Sequence, residues 1–134
     1  MTTSRIPILL GTGSTLGRAD APLMSDAMRW GDLLLLSGRA AVDPATGTVR
    51  AQDFDGQCRI VLDDALAVLA AAGSGPEDVL RVECWLAGPE HFAAWNEQYA
   101  HTFPPPRPAR TTLVAGFAVP GLLVEVQLTA GVRG

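Results

Sequence analysis

The chain has 134 residues, a formal net charge of -4, and ten basic residues that are all arginine. The length suits one domain with a full core, and no apolar run approaches the roughly 20 residues that span a membrane. The charge leaves no electrostatic footprint for nucleic acid, and the missing lysine excludes a Schiff-base lysine and an ordinary P-loop. Apolar residues reach 48% and charged residues only 18%, which fits a folded chain that buries surface in an oligomer. The apolar run within residues 1–10 is too short for a secretory signal, so a soluble, cytoplasmic protein is expected.

In chain order, Ile6 to Leu10 reads as a short buried strand, followed by Gly11-Thr12-Gly13-Ser14-Thr15-Leu16-Gly17. A strand before a glycine-rich turn invites a dinucleotide reading. The spacing G-x-G-x-x-x-G and the lack of a helical period before Pro22 favour a flexible connection instead, within a leading segment 1–22. Met24 to Met28 is a candidate strand, turning at Trp30-Gly31-Asp32 into Leu33 to Leu36. Gly31-Asp32 suits a tight hairpin. The second run is apolar on both faces, which predicts an interior strand ended by Ser37-Gly38-Arg39. Asp43-Pro44-Ala45-Thr46-Gly47 is a turn by composition, and Thr48-Val49 a short extended return.

Asp53 to Ala72 is the clearest helix. Phe54, Cys58, Val61, Leu62, Ala65, Leu69 and Ala72 keep a 3.6-residue period. Gln52 or Asp53 opens it and Gly73 closes it, with Asp63 and Asp64 off the apolar stripe and solvated. Val79 to Leu86 alternates, with Leu80, Val82, Cys84 and Leu86 on one face and Arg81, Glu83 and Trp85 on the other. A tryptophan on a polar face marks either an oligomer contact or a pocket wall. Pro89 suits the first turn of a second helix reaching Thr102, with Phe92, Trp95, Tyr99 and Phe103 as core. His91 and His101 read as solvated. Cys58 and Cys84 read as buried free thiols, and the two Cys and two His show no metal-ligand spacing.

A proline-stiffened loop from Phe103 then delivers Arg110 to a strand, and a second strand carries Glu125. Val124, Val126 and Leu128 alternate with Glu125, Gln127 and Thr129. In the preceding strand Leu113, Ala115 and Phe117 lie on one side, and Arg110, Thr112 and Val114 on the other. If both apolar sets face the core, Arg110 and Glu125 share the opposite sheet face. A cation and a carboxylate together there would make a small-molecule site. The predicted whole is α+β: one sheet with two helices on one face, the other face left to a partner or to water.

Several segments together resemble the RidA/YjgF family of reactive intermediate deaminases. They are Pro108-Ala109-Arg110, Leu113, Gly116, Leu123-Val124-Glu125-Val126, Leu36-Ser37-Gly38, Asp43 to Gly47, Ala71-Ala72-Gly73 and Trp95-Asn96. The resemblance runs from about Leu23 to Ala130. It implies a chorismate-mutase-like fold, a homotrimer with ligand clefts between subunits, and no cofactor or metal. It implies hydrolysis of 2-imino acids of the 2-iminobutanoate or 2-iminopropanoate type, or their enamine tautomers, to 2-keto acids and ammonia. Arg110 would grip the substrate carboxylate and Glu125 would hold the attacking water. Ser37, the backbone N–H of Gly38, Asn96 and Thr112 would line the cleft. Leu23 stands where family deaminases commonly carry a tyrosine, and Arg39 where a glutamine is common. The duller readings are that Arg110 and Glu125 form interface ion pairs, that Ser37 and Gly38 only end a strand, and that Asn96 and Thr112 are structural. A trimer that binds a small carboxylate without turnover is the alternative function. A ribonuclease is disfavoured by the net negative charge.

Overall fold

Alternation of side chains gives the sheet its two faces. The computed structural model describes residues 4–10 and 23–133; the glycine-rich stretch 11–17 lies outside them. The strands are β1 Arg5–Ile8, β2 Ala27–Trp30, β3 Leu33–Leu36, β4 Arg39–Ala40, β5 Val79–Leu86, β6 Ala109–Val114 and β7 Val124–Gly131. They form one mixed sheet in the order β1-β2-β3-β7-β5-β6, with β4 beside β7 beyond the end of β3. All pairings are antiparallel except β5–β6. That parallel pair needs a crossover, which helix α2, Phe92–Thr102, supplies.

In β7 the apolar set Val124, Val126, Leu128 and Ala130 is buried, while Glu125, Gln127 and Thr129 are half-buried on the other face. Helix α1, Phe54–Ala71, lays Cys58, Val61, Leu62, Ala65 and Leu69 on the buried face. Asp53 caps it: its carboxylate accepts from the Gly56 backbone N–H at 3.1 Å. α2 adds Trp95 and Tyr99, with Phe103 just beyond its end. Both helices therefore cover one face, as the sequence pattern implies.

Several local expectations change. The first strand, expected to be buried, is exposed, with Ile6 at 51%. β3 is interior, yet only Leu34 and Leu36 are buried; Leu33 and Leu35 face out with Trp30. A register shift between Val79 and Arg81 turns Leu80 outward, 55% exposed, and puts Val79 in the core instead. Phe92, at the start of α2, is exposed rather than core. His91 is not solvated: its ring stacks on Phe54 at 4.7 Å between centroids, 5° from parallel. The two thiols are free and buried, and burial pushes the Cys58 thiol up to about 12. No helix is long and apolar enough to cross a membrane among the described residues.

Candidate functional site

Strand register decides where the two charged candidates point. Arg110 pairs with Val82, and Val82 with Leu128, all on the helix-covered face. Glu125 pairs with Trp85, and Trp85 with Leu113, on the open face. The expectation that Arg110 and Glu125 share a face is therefore wrong. It failed because β6 is an edge strand whose apolar residues do not mark the core: Leu113 is 55% exposed. Arg110 also lies two strands and three residues from Glu125. At about 4.8 Å per strand and 3.3 Å per residue, their Cα atoms are about 14 Å apart.

Arg110 belongs to an aromatic cluster. Its guanidinium carbon sits 4.8 Å from the Tyr99 ring centroid and 5.8 Å from that of Phe92. Tyr99 donates its hydroxyl to the Pro108 carbonyl at 3.4 Å. Among the described residues Arg110 has no ion-pair partner and donates no hydrogen bond, so its donor fork is open to a ligand while two π faces hold its plane. Thr112, two residues on, accepts from Trp95 Nε1 at 3.3 Å. Asn96 falls between Phe92 and Tyr99 on α2, four and three residues away, and so shares their face. Its Oδ1 is buried without a partner among the described residues. Arg110, Thr112 and Asn96 are thus gathered at the β6–α2 edge. Helical spacing places Phe92 and Tyr99 in the core and carries no signal for their ring contacts with Arg110.

Glu125 heads a second cluster at the other side of the sheet. Gly38 packs against it so closely that a Cβ there would lie 2.6 Å from Oε2. Burial raises the Glu125 carboxyl above its ordinary range. Ser37 is nearby in sequence but committed: its hydroxyl donates to the Ser25 carbonyl at 2.7 Å. Arg39 is buried and ion-paired with the fully buried Asp26, which also accepts from the Leu10 backbone N–H at 2.7 Å. A cavity of about 120 Å³ opens beside Glu125, lined by Gly38, Arg39, Val42, Phe117 and Leu122 and by the Arg50–Asp64 ion pair. Leu23 is 81% exposed and does not line it; its neighbour Met24 does. The hydrophobic wall had no sequence signal, because its residues come from separate loops. Among the described residues no group of three His, Cys, Asp or Glu side chains could hold a metal ion.

A mixed sheet with two helices on one face, and clusters of site residues on both sides of it, defines an α+β domain of a known kind. Residues 18–132 match the family model described as endoribonuclease L-PSP. A RutC family protein of Pyrococcus horikoshii is 34% identical over 106 residues, 79% of this chain and 84% of that one. A Yersinia pestis protein of unknown function, YyfA of the conserved Rid family, superposes with a TM-score of 0.84 at 26% identity, covering 96% of this chain and all of the other (100%). RidA from an Antarctic Psychrobacter shares the fold, with a TM-score of 0.82 at 24% identity over 95% of this chain and 99% of that chain. The chain belongs to the RidA/YjgF family, whose model carries the endoribonuclease L-PSP description.

Proposed function

We propose that the protein hydrolyses 2-imino acids or their enamine tautomers to 2-keto acids and ammonia. The observation that carries this reading is the Arg110 guanidinium, held over two rings with its donor fork unengaged among the described residues. Such a planar fork takes a carboxylate through two parallel hydrogen bonds. The imine carbon is the next atom along, so gripping the carboxylate orients that carbon for attack. Glu125 is the base. Burial lifts its carboxyl toward the range in which it can take a proton from water and return it. Glu125 takes one proton from the water as its oxygen adds to the imine carbon and passes it to the nitrogen; the O–H proton of the resulting carbinolamine then follows through Glu125 to the same nitrogen as the C–N bond breaks, leaving the keto acid and ammonia.

One chain cannot do this alone, since about 14 Å and the sheet itself separate the two groups. The reading therefore requires Arg110 of one copy beside Glu125 of another. The open sheet face supports assembly, because Trp30, Leu33, Leu35 and Leu113 stand exposed on it. A homotrimer with sites between subunits is the proposed form, and the cytoplasm its proposed location.

The test is keto acid release from imines generated in place by an amino acid oxidase. Arg110→Ala and Glu125→Gln chains should each be strongly impaired as pure oligomers, the latter by about 10²–10⁴-fold. Co-assembled mixtures should regain part of the activity, because some sites then combine two intact groups. Complete absence of acceleration by the wild type would sink the reading. A second function, carboxylate binding without turnover, rests on the same Arg110 cluster. Keto acid binding by calorimetry with no turnover of any imine would select it. Ribonuclease activity finds no support in a chain of net charge -4.

A further inference from the structure

The cavity beside Glu125 is not required for the bond changes described above, yet its lining carries two opposite charges. Its volume is about 120 Å³. Part of the wall is the loop from Phe117 to Leu122. The buried Gln57 straps that loop down: it donates to the Gly121 carbonyl at 2.9 Å and accepts from the Leu123 backbone N–H at 2.8 Å. Another part is the Arg50–Asp64 ion pair. Both partners are anchored. Asp64 stands on α1, off its buried stripe, and the Arg50 backbone N–H donates to the Ala41 carbonyl at 2.8 Å. Their side chains are 38% and 34% exposed, so a guest in the cavity can reach them. One hydrogen bond joins the two, from Arg50 Nη1 to Asp64 Oδ2 at 2.7 Å. Among the described residues, Nε and Nη2 of Arg50 and Oδ1 of Asp64 make no hydrogen bond. Donor and acceptor therefore stand next to each other on one wall, with their charges cancelling.

This bears on the substrate, and it rests on the deaminase reading of Glu125. With the substrate carboxylate on Arg110 of a neighbouring copy, the side chain on the attacked carbon is the group left to fill the space next to Glu125. A cavity of about 150 Å³ takes a benzene ring of six carbons. In proportion, the volume here takes about four or five heavy atoms. An alkyl group in that space would strip water from the ion pair and return no hydrogen bond. A carboxylate would meet an arginine already neutralised and an aspartate that repels it. A primary amide answers both partners, because its oxygen accepts from Arg50 and its N–H donates to Asp64. We infer that the cavity is the side-chain subsite, and that Arg50 and Asp64 make it select 2-imino acids whose short side chain ends in a primary amide.

Three imines made in place by amino acid oxidases test this: those of asparagine, leucine and aspartate. Their side chains share one size and one branched shape, and end in an amide, a hydrocarbon and a carboxylate. The asparagine imine should exceed each of the others in kcat/KM by about tenfold or more. Arg50→Met removes the donors and should bring the asparagine-to-leucine ratio down toward one. Asp64→Asn keeps the shape but leaves Arg50 without its counter-charge, and should raise the aspartate-to-asparagine ratio by about tenfold. A partly exposed ion pair adds little to stability, so both variants should keep wild-type circular dichroism and oligomer mass. An asparagine imine no better than the leucine imine, or a ratio of the two that Arg50→Met leaves unchanged, overturns the subsite while leaving the deaminase reading standing. An aspartate-to-asparagine ratio that Asp64→Asn does not raise overturns the part given to Asp64. If no imine is accelerated at all, the deaminase reading falls and the subsite with it.

Discussion

Gly38→Ala is the sharpest probe of the Glu125 cluster. The new methyl carbon would sit 2.6 Å from Glu125 Oε2 and 3.1 Å from Cδ, where ordinary contact begins at 3.4 Å. The backbone here belongs to the β3–β4 connection, anchored by the Ser37 N–H donating to the Asp26 carbonyl at 3.0 Å, so the carboxylate is the part that yields. It must retreat by about 0.8 Å, the difference between those two distances. Misplacing a reacting group by about 1 Å costs on the order of 10²-fold in rate. The fold should survive, because the end of a glutamate side chain moves cheaply. Keto acid release from an imine should therefore fall about 10²-fold in kcat, with the melting temperature nearly unchanged. Repeating the substitution in a Glu125→Gln background isolates the cause: if alanine acts through the carboxylate, the two losses are far from additive. Activity within about threefold of the wild type, or an undiminished loss in the Glu125→Gln background, would refute the reasoning.

The Arg110 cluster predicts that Tyr99→Leu weakens keto acid binding about two- to fivefold, the usual worth of a cation–π contact at an exposed site. Tyr99→Phe, which keeps the π face, should bind like the wild type by calorimetry; equal losses in both variants would point to packing instead. Because burial raises the Glu125 carboxyl, the native state holds that proton more tightly than the unfolded chain. Its stabilising contribution is then full below the ordinary carboxylate range and is lost as pH rises through the raised value. Glu125→Gln should accordingly raise the melting temperature more at about pH 7 than at about pH 4, and an equal change at both would count against the burial argument. Burial likewise holds Cys58 near 12 and drives Cys84 up as well, so neither thiol should react with a disulfide reagent at neutral pH until the chain is unfolded. Prompt modification of the native protein would contradict this.

Local periodicity made the framework legible. The helix from Asp53, the alternation of Val124 to Ala130 and the glycine turn at Gly31 all follow from rules that act within a few residues. Gly31 and Gly73 adopt positive φ, 59° and 78°, where those turns require it. The same local rules misread β6, because face assignment from alternation assumes that apolar residues mark the core. On an edge strand they need not: Leu113 and Val114 are both exposed. Register alone, set by the β5–β6 and β5–β7 pairings, put Arg110 against the helices and Glu125 on the open side. The sequence by itself determined which residue types were on offer: an arginine-only cation set, a carboxylate in the last strand and a glycine after the third. Tertiary structure decided which of them meet, since Gly38 with Glu125, Arg110 with Tyr99, and the loop wall strapped by Gln57 join positions distant in the chain. Contacts of that range depend on how strands are ordered in the sheet, and no spacing within a single segment encodes that order.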